Sequence, residues 1–248
     1  MICLTRCDNG RITGINMRNQ ASWGLHILYT DGFEADHLNI QAEHTIPSSD
    51  GIDVDSSTRT HIHDCYIEDN DDCISLKAGK DDDGRRVNKP TTDVLVENCQ
   101  FGYGHSGVDI GSEVTGGISR VTVKDCVMGP GNSGVVRIKS QPSRGGYVRD
   151  VHFKNITIKD VNTVLDINMA WRMVPPLAPP ASEPTYLSNV TLENIHGTCK
   201  KAGRIKGTKK NPVTGLKFIN CEIKAGETLI TEDTQDCDFS GLKWILNK

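Results

Sequence analysis

The sequence predicts an all-β fold, specifically a right-handed parallel β-helix. Short blocks of alternating apolar and polar residues recur along the chain, and each block is typical of a strand with one buried face. No stretch keeps a 3.6-residue apolar period, so we expect little helix. Short strands at a long regular spacing without helical crossovers indicate a solenoid. The blocks are His37–Ile40, Ile62–Cys65, Val94–Cys99, Val121–Cys126, Val151–Ile156, Val190–Ile195 and Leu216–Cys221.

A second regularity favours the β-helix over a β-sandwich, which would also contain alternating strands. Most blocks end in Asn or Asp followed by Cys or Ile. Asn tolerates left-handed backbone dihedrals and can hydrogen-bond to its counterparts in neighbouring coils, so this position fits a stacked turn. A sandwich does not predict one consensus block that recurs in place.

The predicted organisation is a single β-helix domain over residues 1–248. Its catalytic coils would span about 35–145, and a proline-rich insertion would span 171–186. Residues 1–9 show neither a signal-peptide pattern nor a convincing cap, although the repeat starts immediately after them. We therefore expect a chain whose first coils are missing and whose first remaining coil is frayed. No stretch is long and apolar enough to cross a membrane.

Composition limits the classes of ligand and partner that the sequence predicts. The nine cysteines include four at one repeat position, which favours free thiols in an interior ladder over disulfides. Neither Cys-x-x-Cys nor His-Glu-x-x-His occurs, so no metal site is predicted from spacing. The net charge of −4 argues against a nucleic-acid partner. An acidic polysaccharide stays possible where basic side chains are concentrated locally.

Four polar clusters at the ends of strand-like runs carry the chemistry. They begin roughly 21 to 34 residues apart, the interval of successive coils. Residues one coil apart stack about 4.8 Å from each other. Three carboxylates, a histidine and two cations should therefore share one patch. The clusters are Ser48–Asp53, Asp71–Lys77, Gly104–Ser112 and Arg137–Lys139.

The two cations stand on either side of an apolar residue. Ile138 belongs in the core, so Arg137 and Lys139 should point outward. A guanidinium beside an ammonium on a rigid strand forms a carboxylate receptor. A solvated strand face would show the same pattern.

The carboxylates suggest acid–base chemistry. Adjacent Asp71 and Asp72 repel each other and spread their pKa values, which can place a general acid beside a general base. Strict alternation buries Asp72, so a turn or bulge is needed to present both; a calcium-binding or merely solvated turn is the alternative. Asp50 could add a third carboxylate if Gly51 permits a local kink. One coil beyond the pair, His105 could tune its ionisation.

Together the four clusters resemble the signature motifs of glycoside hydrolase family 28, the polygalacturonase and pectinase group. The resemblance covers about residues 10–240, and the segment Lys77–Pro90 is similar to bacterial, exo-acting members. It implies hydrolysis of α-galacturonic linkages with inversion of configuration. Asp71 would be the general acid, Asp50 and Asp72 would hold and deprotonate the attacking water, and His105 would influence the ionisation of Asp71.

The same resemblance implies a ligand and a location. Arg137 and Lys139 would clamp a galacturonate carboxylate of an acidic pectic polysaccharide or oligogalacturonide. No metal or organic cofactor is implied, nor a nucleic-acid or membrane partner. We expect a monomer that is secreted or periplasmic. Two departures stand out: Ser48 and Ser49 replace the usual Asn-Thr, and Asp109 replaces a small hydroxyl residue.

Two rival functions are open. A calcium-dependent pectate lyase would use Asp71, Asp72 and the run Asp81–Asp83 as ligands, but it leaves His105 unexplained. A non-catalytic carbohydrate-binding β-helix needs surface aromatics, yet aromatic residues make up only 5% of the chain. Trp171 or Tyr186 could stack on a sugar, or could pack their loop onto the solenoid.

Overall fold

The computed structural model describes residues 1–172 and 178–246. The central part of the predicted insertion, residues 173–177, lies outside the described residues. Every strand pairing in the described chain is parallel, and between the first and last coils each strand pairs with the strand one coil before it and one coil after it. The predicted right-handed parallel β-helix is therefore confirmed.

The strands form three parallel stacks, which are the three faces of the solenoid. The first face contains β1 (Ile2–Thr5), β4 (Leu25–Leu28), β7 (Ile52–Asp55), β10 (Asp72–Lys77), β13 (Ser106–Ile110), β15 (Val136–Lys139) and β20 (Ile230–Glu232). The second contains β2 (Gly10–Thr13), β5 (Asp31–Asp36), β8 (Thr58–His63), β11 (Thr91–Glu97), β18 (Val213–Ile219) and β21 (Thr234–Gln235). The third contains β3 (Asn16–Arg18), β6 (Asn39–Gln41), β9 (Tyr66–Glu68), β12 (Gln100–Phe101), β19 (Cys221–Ala225) and β22 (Leu242–Leu246).

Three longer strands turn the corners between faces. β14 (Ile118–Met128) continues the second and third faces, while β16 (Tyr147–Asn168) and β17 (Tyr186–Lys206) continue all three. One helix, α1 (Asp81–Val87), is present in the described chain, and it leaves the solenoid just after β10. None of the described helical segments is long and apolar enough to span a bilayer.

The core consists of apolar side chains stacked coil upon coil. On the first face Leu25, Ile52, Ile74 and Val108 lie in one register row, and all four are fully buried. Burying each such side chain contributes roughly 1.5–3 kcal/mol. Because these residues face inward, their strand neighbours face the outside of the coil, which is where the polar clusters stand.

The recurring Asn or Asp forms a ladder at a corner of the solenoid. Asn155, Asn194 and Asn220 have left-handed backbone φ angles of 53°, 53° and 49°. The side-chain amide of Asn155 donates to Asp125 at 2.8 Å, that of Asn194 donates to Asn155 at 3.0 Å, and that of Asn220 donates to Asn194 at 2.7 Å. Each turn is therefore tied to the turn one coil before it.

All nine cysteines are free thiols. Cys65, Cys99, Cys126 and Cys221 are buried at equivalent corners, as the repeat position predicts. Cys3 is exposed. The thiols therefore fill the interior as small apolar groups and do not cross-link the coils.

This arrangement predicts the outcome of thiol labelling. In the native protein a thiol reagent should modify Cys3 first, then the half-buried Cys7 and Cys237, because reaction requires access. The six buried thiols should react only after denaturation without reductant. Cys3→Ser should remove the fast phase alone. Fewer than nine reactive thiols in the denatured, unreduced protein would contradict the free-thiol ladder.

Candidate active site

A cleft of about 370 Å³ on the first face contains every residue that the sequence nominated. Its lining also includes residues that sequence reasoning did not assign to the site: Trp23, Lys77, Ser112, Glu113 and Arg172. The nominated residues in the lining are Asp50, Asp71, Asp72, His105, Arg137 and Lys139.

Strand register brings the clusters together. Asp53, Ser75, Asp109 and Arg137 occupy one row on four successive coils, each beside an inward-facing aliphatic residue. These outward-facing positions are nevertheless buried or half-buried, since the side chains of the cleft cover one another. A row of polar groups on a rigid sheet is thus enclosed in a site of low solvent access.

Asp72 lies between the two predicted cations. Its Oδ1 accepts a hydrogen bond from Arg137 Nη1 at 2.8 Å, and its Oδ2 accepts one from Lys139 Nζ at 2.8 Å. Burial raises the pKa of Asp72, but the charges of Lys139 and Arg137 outweigh it and hold that pKa well below its usual range. Asp72 is therefore a fixed anion.

Asp71 and Asp72 both line the cleft, as expected, although strict alternation from Ile74 and Leu76 would turn Asp72 into the core. Asp72 is the first residue of β10 and is 1% exposed, whereas Asp71 precedes the strand and is half-buried. A buried carboxylate would be costly alone. Two cations that reach it from two coils away compensate its charge.

Asp109 is fully buried against the same cation. Its Oδ2 lies 2.5 Å from Lys139 Nζ. Burial and the neighbouring charge of Asp72 raise the pKa of Asp109 well above its usual value. The two carboxyls share one cationic environment, in which the pKa of Asp72 is lowered and that of Asp109 is raised. The departure from a small hydroxyl residue thus adds a buried carboxyl in contact with Lys139.

Asp71 and His105 form the accessible pair of the site. His105 Nδ1 lies 3.2 Å from Asp71 Oδ1, and the backbone N–H of His105 donates to the carbonyl of Asp71 at 2.7 Å. The buried Asp69, which sequence reasoning missed, accepts the backbone N–H of Asp71 at 3.2 Å. In the sequence, the run Asp69-Asn70-Asp71 is typical of an Asx-turn, and this pattern could have indicated the role of Asp69.

Asp50 is enclosed on the other side of the cleft. It is 3% exposed, and burial raises its pKa to about 7, even though Lys77 opposes this rise. The charges of Asp72 and Asp71 add to the increase. At neutral pH Asp50 is therefore divided between its acid and its carboxylate forms, which is the state that a base or proton acceptor needs.

The chain bends at Gly51, and Asp50 lines the cleft although its parity matches the buried Ile52. The backbone of Gly51 needs no left-handed conformation, but a Cβ at this position would lie 2.5 Å from the carbonyl oxygen of Cys73 and 2.6 Å from Ile67 Cγ2. Glycine is thus required because neighbouring coils approach closely here. Glycine thus serves both the bend beside Asp50 and the close packing of neighbouring coils.

Lys77 adds a third cation to the cleft, beside Arg137 and Lys139. Its Nζ lies 3.5 Å from Asp53 and from Glu113 and 3.9 Å from Asp50, and it stands 4.8 Å from the Trp23 ring centre. Burial lowers the pKa of Lys77, but these carboxylates outweigh that effect and raise it above its usual value. In the sequence, its place next to the inward-facing Leu76 indicated an outward side chain, and this could have marked Lys77 as a site residue.

Metal-ligating atoms occur in two clusters of the described residues. Asp71, Asp72 and His105 offer atoms within 4.8 Å of one another. Both oxygens of Asp72 already accept hydrogen bonds from cations, whereas Ca²⁺ requires six to eight oxygen ligands. The second cluster, Glu34, Asp36 and His63, lies on β5 and β8, away from the cleft.

The acidic run that a lyase would use is engaged elsewhere. Asp81 pairs with Arg144 at 2.6 Å, and Asp82 and Asp83 pair with arginines of the same helix, α1. Of the two aromatic candidates, Trp171 lines the cleft with its ring centre 5.6 Å from Lys139 Nζ. Tyr186 is 45% exposed at the start of β17, outside that lining.

Comparison with known proteins agrees with this geometry. The family model described as "Glycosyl hydrolases family 28" matches residues 1–239. The chain belongs to this family. It is 31% identical over 219 residues to a probable polygalacturonase of Vitis vinifera, covering 86% of this chain and 44% of that protein. An endo-polygalacturonase of Pectobacterium carotovorum subsp. carotovorum is 33% identical over 230 residues, covering 92% of this chain and 53% of that relative.

Solved structures of family 28 share the fold. An exopolygalacturonase from Thermotoga maritima superposes with a TM-score of 0.77 at 25% identity, covering 92% of this chain and 53% of the other. A family 28 exopolygalacturonase of Yersinia enterocolitica gives 0.79 at 22% identity, covering 94% and 41%. The chain thus spans about half the length of the proteins that it matches.

The raised pKa of Asp50 predicts a pH dependence of stability. The folded protein holds this proton up to about pH 7, whereas the unfolded chain releases it near pH 3.9. The stabilisation is therefore present below pH 3.9 and lost as the pH rises through 7. Asp50→Asn cannot ionise, so its free energy of unfolding relative to wild type should rise across this window, by up to about 1.4 kcal/mol per pH unit. Denaturant titrations that give parallel curves from pH 4 to 8 would contradict the assignment.

Proposed function

We propose that the chain hydrolyses α-galacturonic linkages of pectic polysaccharide, with coils 35–145 carrying the catalytic groups. The observation that supports this most is one cleft that holds an accessible carboxyl beside a histidine, a fixed buried anion, and a carboxyl whose pKa is about 7. Acid–base hydrolysis of a glycoside requires carboxyl groups in environments that differ in this way.

In the proposed mechanism Asp71 is the general acid. It is the most accessible of the three nominated aspartates, so it can reach a glycosidic oxygen, and His105 contacts its Oδ1. Protonation of the leaving oxygen by Asp71 would accompany attack of a water held by Asp50 and Asp72. A water between a carboxylate and the sugar gives inversion of configuration.

The roles of the two water-binding aspartates differ because their environments differ. Asp72 stays ionised between Arg137 and Lys139 and orients the water electrostatically. Asp50, with a pKa of about 7, is the group that can accept the proton as the water attacks. Ionisation of Asp50 at higher pH would also keep its negative charge close to Lys77.

Substrate binding in this proposal uses the N–H groups of Arg137 and Lys139 that do not contact Asp72 or Asp109. Arg137 donates one Nη1 hydrogen bond to Asp72, so other guanidinium N–H groups can reach a galacturonate carboxylate. Lys139 contacts Asp72 and Asp109 and has a third proton to donate. We further propose that the protein acts as a monomer on extracellular or periplasmic pectic chains, and that no metal takes part.

The assignment of Asp71 is tested by substitution. Asp71→Asn should lower turnover of polygalacturonate about 10²- to 10⁴-fold, because the general acid is lost, while oligogalacturonide affinity changes little. Release of reducing ends is the readout. Asp64→Asn is the matched control, since Asp64 also contacts a histidine, His63, at 2.6 Å but outside the cleft. Half of wild-type turnover in Asp71→Asn would overturn the role.

The carboxylate receptor is tested by esterification. In the Asp71→Asn background, Arg137→Ala and Lys139→Ala should weaken binding of acidic oligomers about tenfold or more, and of their methyl esters less. The ester lacks the anion that the charge-assisted hydrogen bond needs. Thermal unfolding checks that loss of a partner of Asp72 leaves the protein folded. Equal losses on acid and ester would exclude these cations as the receptor.

A further inference from the structure

The basic tripeptide of the cleft occurs twice on the same face. Arg204-Ile205-Lys206 repeats Arg137-Ile138-Lys139 in sequence. Strand register aligns the copies, because Arg137 pairs with Asp166 of the next coil and Asp166 pairs with Arg204. Ile205 is fully buried, as Ile138 is, so the flanking cations of the second copy also stand outward.

The two copies are two coils apart. At about 4.8 Å per coil, the second pair of cations lies roughly 10 Å along the face from the first. Two consecutive pyranose units of a polysaccharide cover a comparable length. A chain that runs along this face from the catalytic cleft therefore reaches the second pair after two sugars.

The second pair is available for a ligand, unlike the first. The side chains of Arg204 and Lys206 are 49% and 35% exposed, against 15% and 10% for Arg137 and Lys139. Arg204 Nε donates to Asp166 Oδ1 at 2.8 Å, and its two Nη atoms have no hydrogen-bond partner among the described residues. The guanidinium is thus held in place by Asp166, while its Nη N–H groups can still donate to a ligand.

Lys206 has one partner that a ligand could replace. Its Nζ donates to Glu232 at 2.8 Å, and the Glu232 side chain is 55% exposed. Exposed ion pairs of this kind contribute little stability. An incoming carboxylate can therefore exchange with Glu232 at small cost.

The row between the two pairs has the opposite character. Asp166 lies in that row, with Oδ1 bound to Arg204 and Oδ2 3.7 Å from Arg137 Nε, and Asn168 is its outward neighbour. A carboxylate beside Asp166 would be repelled. The face thus alternates between cations, an acid with an amide, and cations, at a period of two coils.

A groove lies beside Arg204. A cavity of about 370 Å³ is lined by Asp166 and Arg204 together with Ser133, Thr163 and Lys201. Beside Arg204 a polar, acidic sugar would meet hydroxyl groups and the cation Lys201, which is loosely paired with Glu227 of the same groove at 3.7 Å.

We propose that Arg204 and Lys206 form a second carboxylate subsite for an acidic oligosaccharide. It would hold the uronate two units away from the uronate bound at Arg137 and Lys139, while the intervening unit turns no carboxylate towards Asp166. This inference rests on the proposed function. The ligand chemistry is a sugar chain with carboxylates two units apart on one side, which both homogalacturonan and an alternating acidic–neutral backbone can present.

The test is calorimetric binding in the Asp71→Asn background, where turnover does not interfere. The double variant Arg204→Ala/Lys206→Ala should bind a galacturonate tetramer about tenfold more weakly, and a dimer unchanged, because only the longer chain reaches the subsite. An alternating rhamnose–galacturonate tetramer is the second arm. A loss with either tetramer supports the proposal and identifies its backbone. Arg120→Ala/Lys243→Ala is the matched control, since both residues are exposed and ion-paired away from this face.

The remaining outcomes separate the two proposals. Unchanged tetramer affinity in the double variant, with tetramer binding and wild-type hydrolysis intact, would overturn the second subsite alone. Failure of every acidic oligomer to bind the Asp71→Asn protein, with no hydrolysis by wild type, would overturn both. Arg204→Gln/Lys206→Gln, which keeps part of the aliphatic stem and a polar end without the charge, should reproduce the loss if charge is responsible and thermal unfolding is unchanged.

Discussion

The buried ion pairs between Asp72 and the cations Arg137 and Lys139 are the contact on which the site depends. They join β10 to β15 across the intervening β13, so one carboxylate ties three successive coils together. Removal of one partner of a buried ion pair typically costs about 3–5 kcal/mol, because a charge is left uncompensated. The same contact fixes Asp72 as an anion and directs the cations into the cleft.

A second group of charged residues, Lys77 and the carboxylates around it, forms the other side of the cleft. Lys77 lies among Asp50, Asp53 and Glu113, and Glu113 also contacts the buried Arg144 at 3.3 Å. Asp50 is the least closely paired of these acids, at 3.9 Å, so burial dominates its ionisation. The difference between Asp50 and Asp72 thus follows from which cation each carboxylate reaches, and at what distance.

Local sequence features predicted the fold because each coil repeats the same alternation and the same turn. The pattern Asn-Cys or Asn-Ile identified the corners, and the structure shows Asn155 and Asn194 joined there. The six nominated residues could be placed in one cleft because residues one coil apart must stack. Strand alternation, the turn pattern and the repeat length were sufficient for the fold, while Asp50 and Asp72 also needed local departures from alternation.

Pairing within the site could not be predicted, since it depends on the register between neighbouring coils and on contacts that span two coils. Alternation alone would turn Asp72 into the core, whereas its carboxylate faces the cleft and is held there by cations from a strand 65 residues later in the chain. Lys77 and Asp69 had local signals, in strand parity and in the Asx-turn pattern, whereas the loop residue Glu113 has no periodic signal. Asp109 was visible as a departure, yet its contact with Lys139 required the register of β13 against β15.

The most direct test of this account is the ionisation state of Asp72 itself. Carbon-13 NMR of aspartate carboxyl groups, with the Asp72 signal assigned by its loss in Asp72→Asn, measures it in the folded protein. The account predicts that this signal keeps the chemical shift of a carboxylate through pH 3.9, the ordinary pKa of aspartate, for as long as the protein stays folded. A signal that titrates at or above that pH would show that Arg137 and Lys139 do not hold Asp72 as a fixed anion, and would contradict the account.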